Sequence, residues 1–377
     1  MKLWRGSLTA TVTAVLTAVL LAVGSTAGVA AAQPAGGTAR ADVPWNRVGA
    51  GWVLTQYASA PPEGGSGPAV LYLISPGGTR YRLASWRDWR SAPQLVAWSP
   101  DGQRALFQVF AGQGGLEQLT LATGQVSMFA LAGDATPIGY TTPRGLAIVA
   151  GQPSGSGTNL ARYSLSGRLV QPLGYSADGQ VLYSASGIEF VTGTSHGLKL
   201  VSNLGPLIRQ LPVPRTSADT CNPVRWWNSG TVLASCAPPG SAIPQLWLVP
   251  VSGARPTALT PRRSASSGDL GDLDAWQLHS GLYLQGAVAC GVLAIFKQAR
   301  NGSITLVTVP HTTGDNRVLT ALGDRMLIQA PTSCTGSVSL LWFNLATRAE
   351  QWLIRAPGNV AGATIAIPFY SRENGNL

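Results

Sequence analysis

Charged side chains are scarce in this chain of 377 residues, of which only 11% are Asp, Glu, Lys or Arg. Its three His residues, His196, His279 and His311, lie far apart, and none has a Cys or a second His at metal-ligand spacing. The sequence therefore offers little for a histidine-based metal centre or a catalytic triad. Lys occurs only three times, so the formal net charge of +10 comes almost entirely from Arg. Because these Arg residues are dispersed, we expect no nucleic-acid binding.

Long helices are excluded by composition. The chain contains 45 Gly and 26 Pro, and both residue types disfavour helix interiors. Hydrophobic residues still make up 45% of the chain, which is enough for a large core. Many short strands joined by turns fit this balance, so the sequence predicts an all-β fold.

Long apolar runs are missing except at the N-terminus. There Lys2 and Arg5 precede an apolar run from Leu8 to Val23, and small residues follow as far as Ala32. This order is typical of a secretory signal peptide. It predicts that residues 1–32 are a signal peptide.

Cleavage near Gln33 leaves residues 33–42 as a flexible mature N-terminus. No Cys stands near that point, so no lipid-modified cysteine is expected. The alternative is an uncleaved membrane anchor, although the apolar run is barely long enough to span a bilayer. We expect a secreted or cell-envelope protein with no transmembrane span after cleavage.

The remaining chain contains repeated sequence units. At regular intervals a glycine precedes a strand-like apolar run, as in GQRALFQ after Gly102. The seven such glycines are Gly51, Gly102, Gly145, Gly179, Gly230, Gly281 and Gly323. Most units contain four strand-like segments, which is the pattern of a β-propeller. We predict one propeller of seven four-stranded blades over residues 43–370, followed by a C-terminal tail at 371–377. Six or eight blades remain alternatives.

The clearest turn motif lies in AWSPDGQRALF. Pro100 presets φ for the turn, Asp101 can accept hydrogen bonds from nearby backbone, and Gly102 tolerates positive φ. We interpret WSPDG as structural, with Trp98 packing between blades. A second copy, YSADG, runs from Tyr175 to Gly179.

These two motifs resemble the TolB-like, or WD40-like, propeller repeats of bacterial envelope proteins. The match covers two turns by letter and the other five only by pattern. The resemblance implies a propeller fold and commonly a binding or scaffolding role, without indicating a particular ligand.

A strand from Ala363 to Tyr370 has no partner within the last blade. We expect it to close the ring by pairing with the first blade near Trp45 to Tyr57, which would remove two exposed sheet edges. The alternative is a loose tail.

The four Cys residues predict two disulfides in an exported chain. Cys221 and Cys236 lie equally far from a turn between Asn228 and Ser229, so they should face each other across a hairpin. Cys290 and Cys334 follow the repeat glycines of adjacent units by similar distances. A bond between them would link the sixth and seventh blades.

Two segments are candidates for function. Asp269, Asp272 and Asp274 form an acidic loop that could bind Ca²⁺, with a solvated loop as the alternative; no other cofactor or metal is expected. In SWRDWRS, a patch of alternating aromatic and cationic side chains suits sugar or peptide binding. That patch consists of Trp86, Arg87, Trp89 and Arg90. The alternative is that its Trp residues pack between blades.

Other residues are interpreted as structural. Gly193 to Gly197 matches the GxSxG hydrolase pattern around Ser195, but it joins two strands where a hydrolase requires a strand and a helix. Arg225, Trp226 and Trp227 are expected to pack in the core. No catalytic residue is therefore assigned.

The sequence favours a secreted, noncatalytic propeller with a ligand-binding, protein-binding or scaffold role in the cell envelope. Its partner would be an envelope protein or polysaccharide of unknown identity. The alternative is a propeller hydrolase or lyase acting on extracellular carbohydrate or cell-wall polymer, which would need carboxylates or His converging on one site.

Overall fold

The computed structural model consists almost entirely of strands. It describes residues 37–58, 67–110, 115–133, 135–214, 220–237, 243–262, 269–288, 292–331, 338–355 and 359–365. Two short 3-10 turns, Arg40–Asp42 and Trp45–Arg47, precede the sheets. The strands form seven sheets, and each sheet is one blade of a seven-bladed β-propeller.

The described strands follow the chain blade by blade. Blade 1 contains β2 (Val53–Ala58), β3 (Ala69–Ile74) and β4 (Arg80–Trp86), and β1 (Thr38–Ala39) pairs in parallel outside β4. Blade 2 contains β5 (Gln94–Trp98), β6 (Arg104–Val109), β7 (Gly115–Thr120) and β8 (Val126–Phe129). Blade 3 contains β9 (Thr136–Tyr140), β10 (Ile148–Ser154), β11 (Gly157–Tyr163) and β12 (Leu169–Ser176). Blade 4 contains β13 (Leu182–Tyr183), β14 (Glu189–Thr194), β15 (Gly197–Ser202) and β16 (Leu207–Leu211).

The second half of the ring repeats this plan. Blade 5 contains β17 (Thr220–Asn228), β18 (Thr231–Ala237), β19 (Gln245–Pro250) and β20 (Thr257–Ala258). Blade 6 contains β21 (Asp269–Leu278), β22 (Gly281–Val288), β23 (Val292–Gln298) and β24 (Ile304–Leu306). Blade 7 contains β25 (Arg317–Leu322), β26 (Arg325–Pro331), β27 (Val338–Asn344) and β28 (Glu350–Ile354), and the last strand is β29 (Asn359–Ile365).

Strand β29 closes the ring. It pairs antiparallel with β2, with Val53 opposite Ile365 and Tyr57 opposite Val360. β29 also contacts β5, and β5 contacts β9, so these are the innermost strands of their blades. The predicted C-terminal latch is confirmed. It begins at Asn359 rather than Ala363, and residues 366–370 of the predicted strand lie outside the described residues.

Seven apolar clusters hold adjacent blades together, one at each interface around the ring. Trp98 and Phe107 of blade 2 pack with Trp52 of blade 1, as the sequence predicted for Trp98. Trp342 fills the interface where blade 7 meets blade 1. Large apolar side chains are removed from water at each of these interfaces, and their burial stabilises the ring.

The WSPDG turn joins β5 to β6 with the predicted chemistry. Gly102 has φ 72° and its N–H donates to the Ser99 carbonyl at 2.8 Å. Asp101 Oδ1 accepts from Ser99 Oγ at 2.5 Å and from Gln103 N at 3.1 Å, while Arg104 pairs with Oδ2 at 2.6 Å. Asp101 therefore organises the turn.

The position of YSADG within the repeat differs from the prediction. Tyr175–Gly179 does not join the first two strands of blade 4; it connects β12 of blade 3 to β13 of blade 4. The prediction failed because the same turn chemistry occurs here too: Asp178 Oδ1 accepts from Ser176 Oγ at 2.6 Å, and Gly179 has φ 68°. A turn motif specifies a local bend and not the pair of strands that it joins.

The true equivalent of WSPDG in blade 4 runs from Ser184 to Gly187. Gly187 N donates to the Ser184 carbonyl at 3.0 Å, and Ser184 N donates to the Glu189 carbonyl at 2.9 Å. Gly187 lies 42 residues after Gly145 and 43 before Gly230, so the corrected repeat is more regular than the predicted one.

Cys221 and Cys236 form a disulfide across β17 and β18, where they are direct register partners. Cys290 and Cys334 lie outside the described residues, so their pairing stays a prediction. Among the residues that the structure describes, no helix is long and apolar enough to cross a membrane.

Candidate binding face

The up-and-down order of strands gives the ring two faces. We call one the connection face: it carries the links between successive blades and the links from second to third strands. The other, the turn face, carries the turns from first to second and from third to fourth strands. Function in such folds is usually carried by loops on a rigid scaffold.

The aromatic and basic segment lies on the connection face, between β4 and β5. Trp86 ends β4 and is half-buried, with its ring 5.8 Å from that of Phe107 in the cluster between blades 1 and 2. Trp86 therefore packs between blades, which agrees with the alternative given for the Trp residues of this segment, and we leave it out of the binding patch. Its side chain points inward because alternate residues of a strand face opposite sides.

The rest of that segment presents a different surface. Arg87 and Arg90 are exposed, Trp89 is half-buried, and the Arg90 guanidinium carbon lies 6.0 Å from the centre of the Trp89 ring. Trp89 N donates to the Gly67 carbonyl at 2.8 Å, and Asp88 Oδ1 accepts from Arg90 N at 3.1 Å. These hydrogen bonds thus hold the backbone of the three residues in one short turn.

Blade 1 also anchors the chain just beyond this turn. The Gln56 side chain donates to the Pro93 carbonyl at 2.8 Å and accepts from Leu95 N at 2.9 Å. Gln56 is buried, so these hydrogen bonds are shielded from water and hold the start of β5 firmly. We define the binding patch by its three remaining members, Arg87, Trp89 and Arg90.

The predicted acidic loop is a strand. Asp269, Asp272 and Asp274 all lie in β21, whose pairing with β22 is interrupted by bulges on either side of Asp272. Gly271, at φ 97°, supplies the unusual backbone of the first bulge. The Gly and Asp content suggested a loop because these residues are depleted from regular strands, but bulges accommodate them.

The two acidic side chains that can be described are enclosed. Asp272 is buried, and Asp274 accepts Arg225 Nε at 2.8 Å and also pairs with Arg225 Nη2. Burial raises the pKa of Asp274, and the Arg225 guanidinium offsets only part of this effect. Among the described side chains, which do not include Asp269, no three His, Cys, Asp or Glu residues form a group that could hold a metal ion.

Arg225 links blades 5 and 6. Its guanidinium carbon lies 4.4 Å from the Trp276 ring centre, in addition to the ion pair with Asp274. The neighbouring Trp226 is buried between blades 4 and 5, where its indole N–H donates to the Tyr183 carbonyl at 2.6 Å. These residues are structural, as the sequence analysis proposed.

The remaining candidates for catalysis are dispersed. His196 and His279 are exposed, and His311 is 78% exposed, with Nδ1 3.2 Å from Glu350 Oε2. Ser195 lies in the hairpin between β14 and β15, so it is not at a strand-to-helix elbow. The described structure therefore brings none of these side chains to a common point.

Many of the dispersed Arg residues have a role that sequence reasoning missed. Arg162 Nη1 of blade 3 donates to the Asn203 carbonyl of blade 4 at 3.1 Å, and Arg209 of blade 4 donates to the Ser252 carbonyl of blade 5. Arg104 makes an equivalent contact from blade 2 to the Arg144 carbonyl. Donor and acceptor lie 40 to 43 residues apart, about one repeat, and this spacing was the available signal.

Comparison with solved structures places this chain among β-propellers. The β-propeller domain of the Trilobed protease from Pyrococcus furiosus, described as having an open velcro topology, has a TM-score of 0.53 at 10% identity over 82% of this chain and 97% of that domain. A puromycin-hydrolyzing peptidase from Mycobacterium tuberculosis has a TM-score of 0.52 at 14% identity over 84% of this chain and 55% of the peptidase. TolB from Acinetobacter baumannii has a TM-score of 0.48 at 14% identity over 84% of this chain and 67% of that chain.

The first two of these likenesses, with TM-scores above 0.5, confirm the propeller fold. At such low identity they establish no activity. The chain spans about half the length of the peptidase it matches. No protein-family model matches the chain, and no curated protein matches its sequence.

Proposed function

We propose that this protein is an exported, noncatalytic β-propeller that binds an envelope protein or polysaccharide through the patch of Arg87, Trp89 and Arg90. The observation that carries the proposal is the Arg90–Trp89 pair, held beside Arg87 on a turn anchored at both ends. An indole face stacks on a sugar ring or an apolar side chain, and the guanidinium groups donate to acidic or hydroxyl oxygens. Rigid presentation lowers the entropic cost of binding.

Export is supported by two independent features. The N-terminal segment has the order of charges, apolar residues and small residues that signal peptidases recognise. The Cys221–Cys236 disulfide is typical of an oxidising compartment.

The noncatalytic role is supported by how three of the described carboxylates are engaged. Asp274 pairs with Arg225 between blades, Asp101 organises a turn, and Asp324 Oδ1 accepts from Ser280 N and Oγ at 2.9 and 2.8 Å. Carboxylates used in this way are poorly placed to act as a general acid and base on substrate. The competing hypothesis is a propeller hydrolase or lyase.

The test is retention of solubilised envelope protein and of purified cell-wall polysaccharide on immobilised protein. We expect Trp89→Ala and Arg90→Ala each to lower retention by about fivefold or more, because contacts of this kind are worth roughly 1 kcal/mol or more. Trp89→Phe should retain much of the binding, since it keeps an aromatic face. Arg300→Ala, which removes an exposed cation from the turn face, is the matched control and should behave as wild type.

Unchanged retention by both alanine variants, in protein that unfolds at the wild-type temperature, would refute this patch. Release of shortened polysaccharide during the incubation would instead support the enzyme hypothesis.

A further inference from the structure

Exposed apolar side chains are concentrated on the turn face of blades 3 and 4. Leu146 and Ile188 follow the turn glycines Gly145 and Gly187 at equivalent positions, and they are 65% and 69% exposed. Leu204, in the turn between β15 and β16, is 64% exposed. Exposed Leu and Ile side chains that are grouped on neighbouring turns are typical of a surface that binds a partner.

Backbone contacts bring these turns together. The Thr142 hydroxyl of blade 3 donates to the Ser184 carbonyl of blade 4 at 3.3 Å, so the turns that carry Leu146 and Ile188 touch. Asn203 N donates to the Ile188 carbonyl at 2.8 Å, which places Leu204 beside Ile188. The three apolar tips therefore lie on adjacent turns, and we call them the apolar turn cluster.

The cluster extends to the outer strands of the same blades. Leu169 begins β12 and Leu207 begins β16, and both are exposed. The space beside Gly205 is closed by the Pro172 carbonyl, so the blade 4 turn packs directly on β12. Exposed apolar surface thus continues from the turn tips to the rim of the ring.

Other blades do not share this feature at the equivalent position. Blade 2 has the polar Gln103 there, blade 5 has Thr231 and blade 7 has Asp324, whereas Trp52 of blade 1 is buried and Leu282 of blade 6 is half-buried against the cluster between blades 5 and 6. A purely structural need for an apolar residue after the turn glycine would have appeared all around the ring. The apolar tips are specific to two neighbouring blades.

Cationic side chains accompany the apolar tips. Arg144 and Arg168 are exposed, and they lie next to Leu146 and Leu169 in their turns. One carboxylate, that of the half-buried Glu189, follows Ile188. The whole chain carries a formal net charge of +10, so the long-range field reinforces this local balance.

We propose that the apolar turn cluster docks on an anionic lipid bilayer. Leu146, Ile188 and Leu204 would enter the boundary between headgroups and acyl chains, while Arg144 and Arg168 would contact lipid phosphates. Apolar side chains flanked by cations are the combination that binds anionic membrane surfaces. A bilayer deforms around separate tips, whereas a protein partner would need a matching pocket for each one.

Docking by the turn face leaves the connection face directed away from the membrane. The patch of Arg87, Trp89 and Arg90 would then remain accessible to soluble or wall-bound partners. The membrane proposal does not depend on that patch, because the two sets of residues lie on opposite faces.

The test is flotation with vesicles of phosphatidylglycerol and phosphatidylcholine in equal parts, beside vesicles of phosphatidylcholine alone. The protein is purified after export, so that any N-terminal processing has occurred. We expect binding to the anionic vesicles that weakens at high salt. Leu146→Ser, Ile188→Ser and Leu204→Ser should each lower the partition coefficient by about tenfold, since each removes an apolar group from the interface.

Charge variants and controls complete the experiment. Arg144→Glu together with Arg168→Glu should lower binding to anionic vesicles by about tenfold or more and leave the neutral vesicles unaffected. Phe110→Ser is the matched apolar control, because Phe110 is 66% exposed at the end of β6, on the connection face. Arg262→Glu together with Arg355→Glu is the matched charge control, because both side chains are exposed on the connection face and lie outside the binding patch. Both controls should bind vesicles as wild type does.

Three results would overturn the proposal. The first is no flotation of wild-type protein with anionic vesicles. The second is equal loss of binding in the turn-face variants and in the controls. The third is a concentration-dependent dimer that Ile188→Ser abolishes without changing vesicle binding, which would assign the surface to a second copy of this chain.

Discussion

Arg225 and Asp274 illustrate, at the scale of single residues, how a polar pair is accommodated between blades. Both side chains are largely removed from water, and Trp276 lies against the guanidinium. A pair of this kind contributes little net stability, because desolvation offsets the attraction. Removing one partner destabilises the folded protein, since the remaining buried charge then has no counter-ion.

We expect Arg225→Met to lower the free energy of unfolding by about 3–5 kcal/mol. The double variant Arg225→Met, Asp274→Leu should recover most of this loss, because it removes the unpaired carboxylate as well. Chemical denaturation of the wild type, both single variants and the double variant measures the coupling. Additive effects would show that the pair does not act as a unit.

The pH dependence of the Arg225→Met variant provides an independent check. Burial already raises the pKa of Asp274 in the wild type, and loss of Arg225 should raise it further. A folded-state pKa above the unfolded value means that the folded state binds more protons, so stability falls as pH rises through that interval. The deficit of the variant relative to wild type should therefore shrink on going from about pH 7 to about pH 5. A deficit that grows over this range would contradict the assignment.

At the scale of strands and turns, the sequence predicted the seven repeats, the four-stranded blades and the closing strand. These features could be predicted because glycine-marked turns and strand-like runs are local properties. The position of YSADG was mistaken because Ser176, Asp178 and Gly179 share the Asp–Ser hydrogen bond and the positive-φ glycine of WSPDG, but on the other face of the ring. The acidic segment was mistaken for a loop because bulges are not visible in residue patterns.

The candidate site was predictable only in part, for a similar reason. The position of the aromatic and basic segment between two blades followed from the repeat. The burial of Trp86 depends on which side of β4 faces blade 2, and the apolar turn cluster depends on contacts between blades. Neither depends on sequence neighbours alone.

The corrected repeat leads to a prediction about Gly187. A Cβ at this position would lie 2.1 Å from the Thr142 carbonyl oxygen, and the backbone has φ 70°. We expect Gly187→Ala to lower the free energy of unfolding by about 3 kcal/mol or more, from strain and from displacement of the neighbouring turn. Gly155→Ala is the matched control: φ is also positive, at 58°, but no atom lies within 4 Å, so about 1 kcal/mol is expected. Thermal unfolding of both variants measures the two losses, and an equal loss in both would contradict the prediction.

The disulfide of blade 5 should stabilise its own hairpin. Cys221 and Cys236 are 15 residues apart in sequence. Closing a loop of this length lowers the conformational entropy of the unfolded chain, which stabilises the folded protein by about 3 kcal/mol. Replacing both Cys residues by Ser should lower the free energy of unfolding by about this amount, measured by denaturant unfolding without reductant. No change in the double Ser variant would argue against a bond in the native protein.

At the scale of the whole molecule, the fold separates two kinds of surface. The connection face carries a rigid aromatic and cationic patch, and the turn face carries apolar tips beside Arg side chains. The ring between them is closed by β29 and joined at every blade interface by apolar clusters. Under the two proposals above, the ring would bind two partners on opposite faces.

Binding without turnover is the central claim, and one measurement tests it most directly. Immobilised wild-type protein is incubated with its retained envelope component, and the component is then eluted and its mass and chain ends are compared with those of untreated material. The account predicts that the component is recovered unaltered and that retention falls with Trp89→Ala. Recovery of cleaved protein, or of polysaccharide with new reducing or unsaturated ends, would contradict it.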